Sequence, residues 1–341
     1  MVEADPPTLR LRGLTVEFDR PGHLGAGVES LRAVHEASLQ LRKGEVVGVV
    51  GESGSGKSTL GLAAMGLLRA AARVSGTVEI GGVDMSAASE PMWRRRRGSD
   101  VGMVFQEPMT ALNPVMAVWA QIAEPLREHR GMSRASARRR AVELLAEVGI
   151  REPERVARMY PHQLSGGMRQ RVGIAMAIGC EPALLIADEP TTALDVSVQA
   201  QILELLVALV GRMGLSLLLI SHNLGVIAET TDRVVVMYRG CVVESGATRE
   251  VVSAPAHPYT RGLLDCVLSL DRPRDEPLHP IPGSVTPLAG APRACPFAER
   301  CARVGDVCLT GLPELRGGAH ACACVDPIAG RARASGGGRH G

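Results

Sequence analysis

The sequence predicts an α/β fold organised around one phosphate-binding loop. Three observations carry this. An apolar run at 46–50 leads into Gly51, Ser53, Gly54, Ser55, Gly56, Lys57, Ser58 and Thr59, which fit the pattern G-x-x-x-x-G-K-S, and apolar positions at 60–65 follow. Strand, glycine-rich loop and helix in that order are the context that separates a P-loop from a chance turn. A second strand-like run at 183–187 ends in Asp188 and Glu189, and a third at 215–220 ends in Ser221 and His222. Such strands deliver polar groups to the C-terminal edge of a parallel sheet, where α/β proteins bind their ligands.

Length and composition bound the rest. The 341 residues exceed one compact domain, so a large domain with an appendage is expected. A hydrophobic fraction of 45% supports a real core, and the net charge of +2 argues against a nucleic-acid partner. With 2% aromatic residues, base-stacking platforms are unexpected. The acidic, proline-broken start does not read as a signal peptide. Apolar runs such as 215–220 are too short to span a bilayer. The expected location is cytosolic, or at a membrane through other subunits.

In chain order, residues 9–18 read as a strand, 19–27 as a glycine-containing loop and 34–41 as a second strand. Phe18 lies where an aromatic ring could stack on adenine, although an edge-strand core residue fits the same pattern. Residues 76–80 and 83–85 suggest a hairpin turning at Gly81 and Gly82. Arg94 to Arg97 read as a solvated basic face. Residues 101–105 form another strand, which Gln106 follows. Residues 117–149 are helical in pattern, and Pro153 and Pro161 bracket a short helix. Ser165, Gly166 and Gly167 then open a helix running through Ile178, a second potential anion-binding helix start. Helix 196–211, a hairpin over 234–237 and 241–244, and a short helix at 248–252 complete the regular part. Beyond Pro255 prolines recur and an extended appendage is expected. The glycine-rich end should be disordered.

The loop chemistry follows from backbone geometry. Glycines let successive N–H groups curl around one anion. The helix start adds its positive dipole end. Lys57 brings a mobile charge for the β- and γ-phosphates, and Ser58 a hydroxyl for Mg²⁺. Asp188 is suited to hold Mg²⁺ through water, and Glu189 to polarise an attacking water.

Together these residues resemble the ATPase subunits of ABC transporters, over roughly residues 8–326. The resemblance matches Gln106 to the Q-loop, a ligand of ATP and Mg²⁺, and Ser165, Gly166, Gly167 and Gln170 to the signature. It matches Asp188 to the Walker B aspartate, Glu189 to the catalytic carboxylate, Asp195 to the D-loop and His222 to the switch histidine. It implies a P-loop NTPase fold with a RecA-like core, an antiparallel β subdomain and a helical subdomain near 107–163. The ATPase domain would cover 1–250, a C-terminal extension 251–328 and a disordered tail 329–341. Phe18 would take the adenine-stacking place. Two such subunits would sandwich two ATP molecules, each held by one P-loop and the partner's signature. One departure is Asn223, where the family often has aspartate.

The dipeptide/oligopeptide importers look most similar. That rests on Tyr160, Pro161, His162 and Gln163 before the signature, the stretch 190–199, and His257, Pro258, Tyr259 and Thr260 in the tail. Import of peptides by a peripheral subunit at the cytoplasmic face of the inner membrane is implied. So are a second ATPase subunit, two permeases and an extracytoplasmic solute-binding protein. Importers of nickel or glutathione remain alternatives. A soluble ABC ATPase acting on nucleic acid or ribosomes is a further one, though such chains usually carry two cassettes or a long coiled coil. An ATP-binding regulatory subunit is opposed by intact Lys57, Glu189 and His222.

Five of the eight cysteines, at 295, 301, 308, 322 and 324, crowd into one late segment. In a reducing compartment they are not a disulfide framework. The spacing lacks the paired C-x2-C of zinc ribbons, and Cys322 competes with Cys324 for a fourth place. The resemblance implies a [4Fe–4S] cluster on Cys295, Cys301, Cys308 and Cys324; zinc or free thiols stay open. Cys180, Cys241 and Cys266 are expected as buried core thiols.

Overall fold

The computed structural model describes residues 6–21, 28–68, 71–107, 111–192, 194–266 and 281–328. The expected disorder of residues 329–341 lies outside them. Two sheets organise these residues. In the larger, strands β3 (Val46–Val50), β6 (Val101–Val104), β7 (Leu184–Asp188), β8 (Ser216–Ser221) and β9 (Arg233–Tyr238) run parallel in the order β9-β3-β8-β7-β6. Their near-continuous Val, Leu and Ile content suits strands covered on both faces.

The alternation of side chains feeds two cores. Val46, Leu185, Leu217 and Val234 point into one cluster; Val47, Leu184, Leu218 and Val235 point into the other. The second cluster is closed by α1 (Lys57–Ala64) and by an antiparallel sheet. That sheet contains β1 (Leu9–Pro21), β2 (Val28–Leu41), β4 (Arg73–Ile80) and β5 (Val83–Asp84). Gly81 and Gly82, with φ of 57° and 79°, make the expected β4–β5 turn, since glycine enters the left-handed region without a Cβ clash. After β5 comes α2 (Glu90–Arg96). Its basic run is not wholly a solvated face: Arg97 turns inward and donates to the carbonyls of Met65 and Gly66 at 2.9 Å.

The first cluster is closed by helices. The helical stretch expected over 117–149 is two helices, α3 (Val118–Arg130) and α4 (Arg134–Glu147). Gly131 ends the first in a left-handed conformation, and the Ser133 side chain caps the second by accepting from the Ser136 N–H. The short α5 (Pro153–Arg158) and the long α6 (Gly166–Ile178) complete this side.

Helix α7 (Val196–Met213) corrects one expectation: by length and composition it could cross a membrane. Its stripe of Ile202, Leu203, Leu206 and Leu209 is buried in the first cluster, which is the arrangement of an amphipathic helix packed by one face on a globular core. Helix α8 (Leu224–Thr230) packs on β3 and β8, and α9 (Thr248–Ser253) packs on β9.

The appendage is built into both sheets rather than hanging from them. β10 (Cys241–Ala247) pairs with β9 and accepts β12 (Ala321–Cys322) on its free edge, while β11 (Leu288–Ala289) pairs with β2. It also holds α10 (Pro258–Asp265), which sequence patterning missed, and α11 (Asp306–Thr310). Glu244, fully buried, fixes the junction. It accepts from the N–H groups of Ala256 and His257 at 2.7 and 2.9 Å and contacts His320 Nε2 at 2.7 Å. Buried charge needs such partners.

Candidate functional site: a nucleotide loop at the sheet edge

The loop leaves the central strand β3 and is shaped by two glycines. A Cβ on Gly51 would lie 2.1 Å from the Met237 carbonyl oxygen. Gly56 has φ of 95°, and a Cβ there would lie 2.2 Å from the Ala33 carbonyl oxygen. Both positions therefore exclude side chains. Ser53 and Gly54 stand exposed at the tip, while Ser55 is buried. The Ser55 carbonyl accepts from the Gly240 N–H at 2.9 Å.

Lys57 opens α1 and is 4% exposed. Its ammonium donates to the carbonyls of Gly51 and Glu52 at 2.8 and 3.0 Å and lies 4.0 Å from Glu189. Burial pushes its pKa down, and the carboxylates of Glu189, Asp188 and Glu52 push back. One residue on, Ser58 Oγ donates to Asp188 Oδ1 at 2.9 Å. Asp188 is nearly buried, which raises its pKa against that hydrogen bond. Thr59 continues α1, partly buried.

Glu189 lies just past the end of β7 with φ of 44°, a conformation that costs a non-glycine residue and aims its side chain across the sheet edge. Its Oε2 accepts from Gln106 Nε2 at 3.2 Å and from Thr192 Oγ1 at 3.0 Å, and lies 3.0 Å from His222 Nδ1. Lys57, Gln106, Asp188, Glu189 and His222 thus form one constellation, as the sequence predicts. Thr192 joins it unpredicted; its place three residues after Glu189 was the available signal. Asn223 caps α8, accepting from the Gly225 N–H at 2.9 Å.

The signature forms a separate surface. Ser165 caps α6 by accepting from the Met168 N–H at 3.3 Å, and Ser165 and Gly166 are exposed. A Cβ on Gly167 would lie 2.7 Å from Val198 of α7, so a small residue is needed there. Asp195 is exposed at the start of α7. Gln170 departs from the expected place beside them. It is 1% exposed and lines a partly open pocket with Phe105 and Leu112, and its Nε2 has no hydrogen-bond partner among the described residues. Phe18 is partly buried against the second core cluster, opposite Leu31.

Cys295, Cys301, Cys308 and Cys324 border one small cavity of about 20 Å³, together with His257 and Phe297. Cys322 is not among the lining residues; it pairs with Glu244 on the β10 edge. Burial pushes the Cys295 and Cys324 thiols above their ordinary value. Among the described residues no three His, Cys, Asp or Glu side chains are drawn together closely enough to hold a metal ion. Cys180 and Cys241 are buried as expected, but Cys266 is exposed at the end of α10.

Comparison with known proteins agrees with this geometry. The ABC transporter family matches residues 34–192, and the oligopeptide/dipeptide transporter C-terminal region matches residues 243–308. The oligopeptide transport ATP-binding protein AppD of Bacillus subtilis is 47% identical over 84% of this chain and 88% of its own length. The chain belongs to the ATP-binding subunits of the ABC transporter family. OppD of Mycobacterium tuberculosis, an oligopeptide transport ATP-binding protein, is 48% identical over 94% of this chain, which spans 52% of that longer protein. Among solved structures, the cassette MJ0796 in a dimeric post-hydrolysis state with ADP and phosphate aligns with a TM-score of 0.62. It is 30% identical and covers 71% of this chain and 99% of its own. The chain is accordingly an ABC-type ATPase of the P-loop NTPase fold, and its family works with membrane permeases and as paired ATPases.

Proposed function

We propose that this ATPase drives import of di- and oligopeptides from the cytoplasmic face of the inner membrane. The observation that carries the catalytic part is the shared Glu189 oxygen, which ties Gln106, Thr192 and His222 into one unit beside Lys57. Lys57 and the N–H groups of residues 54–59 cradle the triphosphate. Ser58, Asp188 and Gln106 would hold Mg²⁺, which would neutralise charge on the phosphates. Glu189 orients and deprotonates the attacking water, and His222 contacts the γ-phosphate. Ser165 and Gly166, both exposed, and the half-buried Gly167 complete the site of a second ATPase subunit, with Asp195 at the seam. Phe18 stacks on adenine.

Residues 1–250 form the nucleotide-binding domain in this reading, with the helical arm 107–163 docking on two permease subunits. An extracytoplasmic solute-binding protein delivers cargo. The peptide cargo is supported by the match of the C-terminal region and by the names of the relatives. Reconstitution with the permeases and binding protein in proteoliposomes tests it. Labelled peptide should accumulate only with ATP; accumulation of nickel or glutathione without peptide overturns the cargo.

Cys295, Cys301, Cys308 and Cys324 are the proposed ligands of a [4Fe–4S] cluster. Their all-thiol character and common cavity support it. Its role is structural: it would cross-link a segment whose helices are very short.

A further inference from the structure

Two residues of the C-terminal extension grip the nucleotide loop at Glu52. The Glu52 N–H donates to the Tyr259 hydroxyl at 2.8 Å. The Glu52 carboxylate accepts from Arg300 Nη1 at 2.6 Å and Nη2 at 3.1 Å. Arg300 is 9% exposed; its Nε and Nη2 also donate to the carbonyls of Pro282, Ile281 and Gly283 at 2.5, 3.2 and 3.3 Å, and its Nη1 to the Tyr238 hydroxyl at 3.3 Å. A guanidinium satisfied on all sides has a fixed position.

Aromatic rings support the contact. Tyr238, Tyr259 and Phe297 pack with centroids 4.7, 5.2 and 5.3 Å apart. In a chain with three tyrosines and three phenylalanines, half of them meet at this junction. Phe297 and Arg300 lie between Cys295 and Cys301, and Phe297 also lines the cysteine cavity. The segment 295–301 is thus wedged between that cavity and the nucleotide loop.

The charge matters as much as the geometry. A bare carboxylate at the second position of a loop that receives a triphosphate repels it. Arg300 cancels that charge, and Tyr259 fixes the backbone carrying it.

We propose that Arg300 and Tyr259 are positioning residues for the nucleotide loop, through which the cysteine-bearing extension sets ATP affinity. The inference rests on the loop being the ATP site. It is tested on the full chain with a fluorescent ATP analogue and steady-state hydrolysis, using Arg300→Gln, Glu52→Gln, the double variant and Lys57→Ala. Arg300→Gln should weaken nucleotide binding and raise KM by roughly tenfold, the scale of one charge-assisted pair, with kcat within twofold. The double variant should recover most of that loss, because no unpaired carboxylate remains. Tyr259→Phe should weaken binding by a smaller factor.

If Arg300 merely glued the extension down, the double variant would bind as poorly as Arg300→Gln, and the proposal would be overturned. Unchanged affinity in Arg300→Gln overturns it as well. Should Arg300→Gln misfold, Arg300→Lys keeps the charge and loses the fork; intermediate affinity supports the proposal and wild-type affinity overturns it. Lys57→Ala separates the two layers. If it abolishes binding while Arg300→Gln binds normally, only this inference fails; if it binds normally, the nucleotide site itself is misplaced.

Discussion

His222 Nδ1 lies 3.0 Å from Glu189 Oε2, across the C-terminal ends of the neighbouring strands β8 and β7. The same oxygen accepts from Gln106 and Thr192, which leaves Oε1 on the side of Lys57. An oxygen shared by three side chains has a fixed direction, and fixed direction is what general base and phosphate contact both require. His222→Ala should lower kcat by about 10²-fold and leave ATP affinity within a few-fold. Single-turnover hydrolysis and equilibrium binding, measured together, check it. Wild-type turnover would detach the imidazole from the reaction.

Acid should loosen the extension through His257. Burial pushes this imidazole down to about 4 from the ordinary 6.5. The unfolded chain takes up a proton between those values and the folded chain does not. The stability contribution is therefore complete above pH 6.5 and is lost as pH falls toward 4. The loss amounts to about 3 kcal/mol at most. His257→Asn keeps an acceptor for the Tyr259 N–H that His257 Nδ1 now receives at 3.1 Å, and removes the titration. Urea midpoints between pH 7.5 and 4.5 should fall less steeply in the variant. Equal slopes would contradict the assignment.

The cysteine cavity separates two neighbouring thiols. Cys324 borders it and Cys322 does not. Cys324→Ser should lower bound iron, bleach the visible absorption and reduce the thermal midpoint, whereas Cys322→Ser should retain iron. The reverse pattern would exchange the two roles, and stoichiometric zinc in the unmodified chain would replace the cluster.

Much of the nucleotide site was legible because each part is local. A glycine pattern between strand and helix, or carboxylates directly after an apolar run, carries its own geometry in a few residues. Parallel strand order then brings Lys57, Glu189 and His222 together without further information. The helix break at Gly131 was also written locally, as a glycine followed by the capping Ser133. Contacts between distant segments were not legible. Arg300 and Glu52 are separated by 248 residues, and nothing in either neighbourhood names the other. Gln170 and Cys266 mislead for a related reason. A motif fixes residue type, while the face of the helix or the end of the segment decides burial.

The central claim is that Glu189 activates water in a site that Lys57 and the loop amides build. Glu189→Gln, purified with its partner ATPase and permeases, tests this most directly through ATP affinity and steady-state hydrolysis. Affinity should be retained, with turnover down by at least about 10²-fold and ATP trapped in a closed assembly. Hydrolysis within twofold of the unmodified complex would contradict it.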